Sequence, residues 1–300
     1  MPHLTAAGAA LSATGAERLG FGIPGYAHPL LAPVEWAELA RPGTPLHWVV
    51  LTVSGGPGGP GDRPDPHCLA AVGRLNNAGV RVLGHLDLAG GARPFAELVV
   101  EARRYAQWYR VGGFLLDRCP VDRPRLAGVR RTVATLKEVV EGGHVVLGQG
   151  THPWPGYAEA ADQLVTFSGP WTDYRWSQAP EWTADHPPER FAHFVHGVPR
   201  KRLEEATRIA RWQGAGTIFF TDRAGRLDRG GRPARSGRAR TAVQDPDRCP
   251  DSCPDQDSCP DPDRRLNQDG KWQRVQIGAY ETLPGYWDEI VSRIGPGVSE

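Results

Sequence analysis

Eight short apolar runs, separated mostly by segments of helical spacing, constrain this chain more than any other feature of its sequence. The runs are LGFGIPGY (19–26), LHWVVLTV (46–53), VRVLGHLDL (80–88), GFLLD (113–117), HVVLG (144–148), QLVTF (163–167), RFAHFVHG (190–197) and GTIFFTD (216–222). Each has strand length and many are rich in β-branched or aromatic residues. Between them, AELVVEARRYAQWYR (96–110) sets Leu98, Ala102, Tyr105 and Tyr109 on one stripe. RLAGVRRTVATLKEVVEG (125–142) does the same with Val129, Val133, Leu136 and Val140, ahead of a Gly142–Gly143 stop. RKRLEEATRIARWQG (200–214), ended by Gly214, is a third such segment. Strands alternating with helices over about 270 residues predict an α/β protein folded as a (β/α)8 TIM barrel. The rival is a doubly wound open sheet, which the lack of a Gly-rich dinucleotide turn after the first strand disfavours.

The barrel rhythm divides the chain. Residues 1–19 are small and polar and read as a tail. Residues 20–222 and 279–296 carry the single barrel domain. The interval 223–278 breaks the pattern with Arg, Asp and Pro in excess, a near-repeat of Cys-Pro-Asp and no apolar periodicity. Such a composition buries too little apolar surface to offset ordering entropy, so it predicts a disordered insert after strand eight. The pattern resumes in YETLPGYWDEIVSRIG (280–295), a closing helix carrying Tyr286, Trp287 and Ile290.

Charge and composition exclude several classes. Thirty-five basic against 34 acidic residues give a formal charge of +1, without the excess a general nucleic-acid binder needs. No stretch approaches the roughly 18 consecutive apolar residues of a membrane helix. The opening MPHLTAAGAALSATGAERLG lacks a basic start and an unbroken apolar run, so a cytoplasmic protein is expected. Five cysteines, an odd number, set no disulfide framework. No oligomeric state is implied.

Nine segments in register resemble the spherulin-4-like (spherulation-specific family 4) proteins, a family related to polysaccharide-cleaving glycoside hydrolases. They are IPGYAHP (23–29), SGGPGGPGDRPDP (54–66), AGVRVLGHLDLAGGARP (78–94), YAQWYRVGGFLLD (105–117), GTHPWPGYAEAAD (150–162), VTFSGPW (165–171), HGVP (196–199), GTIFFTD (216–222) and LPGYWDEI (283–290). The resemblance implies a TIM barrel that cleaves glycosidic bonds in an amino-sugar polysaccharide. It also implies an Asp-Glu pair ending the fourth strand, where this chain has Asp117-Arg118, and a Phe-Glu ending the sixth, where it has Phe167-Ser168. Asn-Pro pairs of the family stand here as Thr52-Val53 and Gly148-Gln149, and a tyrosine as His28. These departures collect at strand C-terminal ends, where barrel enzymes hold their chemistry.

Glycoside hydrolysis uses two carboxyl groups, one protonating the leaving oxygen and one attacking the sugar or activating water. The strand-end acids available for this are Asp87, Asp117 and Asp222. Arg118 can serve as neither acid nor base, because a guanidinium stays charged at any working pH. It can bind an anionic group in a fork, turn to solvent, or pair with Asp122. A substrate-binding face is expected from Tyr26, Arg118, Trp154, Tyr157, Trp171, Tyr174 and His196, with Trp176 and Trp182 nearby, because aromatic rings stack on the C–H faces of sugars. Ordinary loop packing is the alternative for these rings. A catalytically inactive barrel that binds a glycan or anionic ligand is the alternative function.

No cofactor and no metal are expected. His28, His85, His152 and His196 fall near strand ends but without HxH or HExxH spacing. Cys249, Cys253 and Cys259 lack a recognised zinc spacing and an evident fourth ligand. SGGPGGPGD (54–62) lacks the Gly-Lys-Ser/Thr ending of a phosphate loop, and no GxSxG elbow is present. The expected partner is a polysaccharide or oligosaccharide.

Overall fold

All eight apolar runs form parallel strands whose hydrogen bonds close a ring. They are β1 (Gly20–Ile23), β2 (Leu46–Leu51), β3 (Val82–Asp87), β4 (Gly113–Asp117), β5 (His144–Gly148), β6 (Gln163–Pro170), β7 (Phe191–His196) and β8 (Thr217–Thr221). They pair in chain order and β8 returns to β1, so the open-sheet rival is excluded. The computed structural model describes residues 19–25, 27–53, 60–61, 63–223, 264–266, 272–274 and 282–294. The insert 223–278 lies outside the described residues, apart from Arg223 and a short antiparallel pair, β9 (Arg264–Leu266) with β10 (Trp272–Arg274). The tail also lies outside them, except for Leu19, which is buried in the core.

The outer layer comprises α1 (Pro33–Leu39), α2 (Pro66–Asn77), α3 (Phe95–Arg104), α4 (Leu126–Val139), α5 (Trp171–Tyr174), α6 (Leu203–Trp212) and α7 (Trp287–Ile294). The stripe read over 96–110 is helical as far as Tyr109; Tyr105–Tyr109 wind as a π-turn, and Arg110, in the left-handed region, ends it. After β5 the chain makes only a short 3-10 turn, Pro155–Tyr157, and after β6 one α-turn followed by 3-10 turns at Glu181–Asp185 and Pro188–Arg190, so these two units are covered largely by loop. The closing helix begins at Trp287, later than the spacing suggests, and packs Trp287 on Phe21 with ring centroids 4.9 Å apart.

Side chains fill the barrel. Trp48 lies across Gly22, where a Cβ would come within 2.4 Å of the indole, so β1 carries glycine to admit the ring. The indole Nε1 donates to Gln163 Oε1 at 2.8 Å, and the Gln163 amide donates to Thr217 Oγ1 and the Glu189 carbonyl. A second buried polar group is His193, whose Nδ1 meets the Tyr174 hydroxyl at 2.9 Å and whose Nε2 meets Thr166 Oγ1 at 3.1 Å. Complete burial lowers its pKa to about 3, so this ring is neutral and structural. At Gly113 (φ +151°) any Cβ would fall 1.9 Å from the His144 carbonyl oxygen. Glycine there permits the β4–β5 approach that puts Asp117 beside Gly148.

Candidate active site at the strand C-terminal ends

Strand register decides which acids meet. Asp87 ends β3, Asp117 ends β4, and the two are direct partners in the β3–β4 pairing. Neighbouring strands run about 4.8 Å apart, so the two carboxylates stand side by side on the rim. Two residues back on β3, and therefore on the same face, His85 places Nε2 3.5 Å from Asp117 Oδ2. Asp117 Oδ1 accepts the Arg118 backbone amide at 2.8 Å, and its side chain is about half exposed.

Arg118, though about half exposed, points its guanidinium at Asp87 and does not pair with Asp122. Its φ of +48° bends the chain straight after β4 and brings the guanidinium back onto Asp87. Nε donates to Asp87 Oδ1 at 2.8 Å and Nη2 to Oδ2, a bidentate fork. Asp122 instead begins the next turn, accepting the Arg125 amide at 3.1 Å and pairing with that guanidinium. Burial works to raise the Asp87 carboxyl, but the Arg118 guanidinium and the Ala89 amide outweigh it and hold Asp87 below the usual carboxylate range. Asp87 is thus an ionised, engaged carboxylate.

Asp222 stands apart, beyond β8 and four strands round the ring from β4. Its Oδ1 accepts the Gly285 amide at 3.2 Å, tying the segment that leads into α7 to the rim.

Two supporting residues escape a reading by motif. Arg93 donates to the Asp87 carbonyl at 3.3 Å and pairs with Glu101, which is 4% exposed on the inner side of α3. Burial raises the Glu101 carboxyl, and Arg93 partly offsets this. An acid next to an apolar helical stripe was the available signal.

The expected aromatic face splits in two. Tyr157 and Tyr174 are fully buried with their hydroxyls engaged, Tyr157 donating to the Asp122 carbonyl at 2.9 Å and Tyr174 meeting His193. Trp171 is 6% exposed beneath the Arg175 guanidinium. These three follow the loop-packing alternative and build the wall. Trp154 is 46% exposed, with the Arg123 guanidinium 5.2 Å from its ring centre, and Trp176 is 77% exposed beside Arg175. Trp182 is half-buried against His152 and Phe191. His196 ends β7 half-buried, its pKa lowered by burial and partly restored by Asp173. Tyr26 lies outside the described residues, as do Cys249, Cys253, Cys259 and most of 54–62.

Three of the four strand-end histidines turn to different partners: His85 to Asp117, His152 to Trp182 and His28 to Asp65. Among the described residues no helix is long and apolar enough to cross a membrane.

Three comparisons bear on this geometry. The family model described as Spherulation-specific family 4 matches residues 21–229. Spherulin-4 of Physarum polycephalum is 25% identical over 160 residues, which is 52% of this chain and 47% of that protein. The match thus spans less than half the length of that curated relative. The crystal structure of Aspergillus clavatus Sph3 in complex with GalNAc superposes with a TM-score of 0.65 at 20% identity, covering 92% of this chain and 97% of the other, and so shares the fold.

Proposed function

This chain belongs to spherulation-specific family 4, and on that premise we propose that its barrel mouth binds an amino-sugar-containing oligosaccharide whose cleavage the Arg118–Asp87 pair suppresses. The observation that carries this reading is the guanidinium fork on Asp87. With Asp87 so engaged and Asp222 four strands away holding the Gly285 amide, Asp117, paired with His85, is the candidate acid left at this part of the rim. A two-carboxylate mechanism needs a second acid that can give up or take a proton, or attack the sugar. Ser168 and Arg118, standing where the family resemblance implies glutamates, supply none. Losing one positioned acid or base typically lowers a rate by roughly 10²–10⁴, so two losses leave little turnover.

Binding has different needs. Exposed Trp154 and Trp176 offer ring faces to apolar sugar C–H surfaces, while Asp117 and His85 can hydrogen-bond hydroxyls between them. The GalNAc held by the Sph3 structure makes N-acetylgalactosamine oligosaccharides the first ligands to test.

A second reading, residual hydrolysis, is favoured by the register of Asp87 and Asp117. The Arg118–Asp87 pair is partly exposed, and such pairs are worth about 1 kcal/mol or less, so a ligand can displace it. The two readings separate in one experiment on the full chain. Calorimetric titration with GalNAc-containing oligosaccharides is expected to show binding that Asp117→Asn and Trp154→Ala weaken, without release of reducing ends. Reducing-sugar release that Asp117→Asn abolishes would establish a hydrolase. No binding of amino-sugar oligosaccharides by the parent would overturn the proposal.

A further inference from the structure

Among the segments that follow β1 and β2, and sharing no residue with the Asp87–Asp117 pair, three side chains of different chemistry converge. His28 follows β1; Asp65 caps α2 and Cys68 lies in its first turn. His28 Nε2 is 3.3 Å from Asp65 Oδ2 and 3.5 Å from Cys68 Sγ, and all three ligand atoms lie within 4.8 Å of one another. We propose that His28, Asp65 and Cys68 form a zinc site with three protein ligands and a fourth position open to solvent.

The two separations from the imidazole nitrogen, 3.3 Å to oxygen and 3.5 Å to sulfur, are those a tetrahedral zinc imposes. With the metal about 2.1 Å from nitrogen and oxygen and about 2.3 Å from sulfur, tetrahedral angles hold N and O about 3.4 Å apart and N and S about 3.6 Å apart. The donor set also suits zinc. An imidazole with a thiolate and one carboxylate favours it over magnesium or calcium, which take oxygen ligands.

A nucleophilic relay does not fit the same atoms. In such a relay the carboxylate and the thiol address opposite nitrogens of the imidazole. Here both approach Nε2, and a single N–H cannot serve both well. An ion placed between them satisfies all three donors.

The surroundings hold the ligands in place. Asp65 Oδ1 is committed to the His67 and Cys68 amides at 2.8 and 2.9 Å, which leaves Oδ2 turned to His28. The Asp65 amide donates to the buried Tyr109 hydroxyl at 2.8 Å. Cys68 is fully buried, while the His28 and Asp65 side chains are 24% and 31% exposed, so solvent reaches the site from one side. His28 Nδ1 accepts the Leu30 amide at 3.2 Å, which places a neutral ring's proton on Nε2. Zinc at Nε2 moves that proton to Nδ1, and the Leu30 amide, in an exposed loop, takes a water instead.

The test uses the full chain, stripped of metal and titrated with Zn²⁺ and Co²⁺. One Zn²⁺ per chain is expected, with a near-ultraviolet thiolate-to-Co²⁺ charge-transfer band. The band should vanish in Cys68→Ser, and affinity should fall roughly 100-fold or more in His28→Ala. Asp65→Asn, which keeps the helix cap, should weaken binding roughly 10–100-fold. Replacing Cys249, Cys253 and Cys259 together by serine should leave the band in place. Because His28 is partly exposed, His28→Ala reports on binding even if Cys68→Ser fails to fold. No stoichiometric metal in the parent, a band that survives in Cys68→Ser, or a band lost only with the three insert cysteines would overturn the site.

Discussion

Arg118 occupies the left-handed region at φ +48°, and its replacement by glycine or by alanine separates backbone strain from charge. For a residue with a Cβ that conformation costs roughly 1–2 kcal/mol. Glycine adopts it freely, but loses roughly 0.4–1 kcal/mol more chain entropy than alanine on folding. Arg118→Gly and Arg118→Ala both remove the fork on Asp87, so the ion pair cancels from their difference. The balance makes the glycine variant more stable than the alanine variant by about 0.5–1 kcal/mol. Against the parent, Arg118→Ala should lose about 1 kcal/mol or less, since the lost pair is exposed. For a chain of this size each kcal/mol moves Tm by roughly 2–4 °C, within reach of paired thermal and urea unfolding at pH 7. Both variants also free Asp87 from the guanidinium, so its carboxyl should titrate at higher pH than in the parent, as carboxyl carbon NMR would record. Equal midpoints for the two variants, or a more stable alanine variant, would refute the strain at Arg118. An unmoved Asp87 titration would refute the role given to the pair.

Trp154→Ala should weaken oligosaccharide binding about fivefold to tenfold, the loss expected for one aromatic contact, while leaving the unfolding midpoint within error. Unfolding titrations and calorimetry on the same variant check both halves. Tyr174→Phe should cost about 1–3 kcal/mol, because it leaves His193 Nδ1 unpaired in full burial; denaturant unfolding reads this directly. Stability should also fall with pH below about 6.5. His193 has a folded-state pKa of about 3 and His144 of about 4, both lowered first by burial, so the unfolded chain takes up protons that the folded chain refuses. His193 alone contributes a slope of about 1.4 kcal/mol per pH unit between its unfolded and folded values, and stability is regained as pH rises to 6.5. Urea midpoints that do not change from pH 6.5 to 5 would show that His193 accepts its proton without penalty.

The strands were legible because unbroken apolar runs and burial share a cause: each run faces the packed interior on one side and the helix layer on the other. The exceptions are instructive. QLVTF reads as ended by Ser168-Gly169-Pro170, yet β6 continues to Pro170 because β7 supplies partners up to His196. The stripe through Tyr105 and Tyr109 cannot distinguish an α-turn from a π-turn, since both bring those rings to the same side. At the site, residue type was legible and orientation was not. Tyr157 and Trp154 are near neighbours in sequence, but one is fully buried and the other half exposed, a choice made by the packing around each ring. The Arg118–Asp87 fork joins positions 31 apart and depends on strand register and one left-handed residue, neither of which spacing along a single chain can report. The grouping of His28 with Asp65 and Cys68 escaped for the same reason, since it joins the segment after β1 to the start of α2.

The Asp222–Gly285 bond gathers two positions 63 residues apart onto one point of the rim. Closure entropy grows only with the logarithm of length, so halving or doubling what lies between them changes the free energy of joining by about 0.6 kcal/mol. The barrel is therefore a frame with a stapled opening. Evolution, or an engineer, can exchange the sequence threaded through that opening for another of very different length while leaving the ring and the α7 helix where they stand.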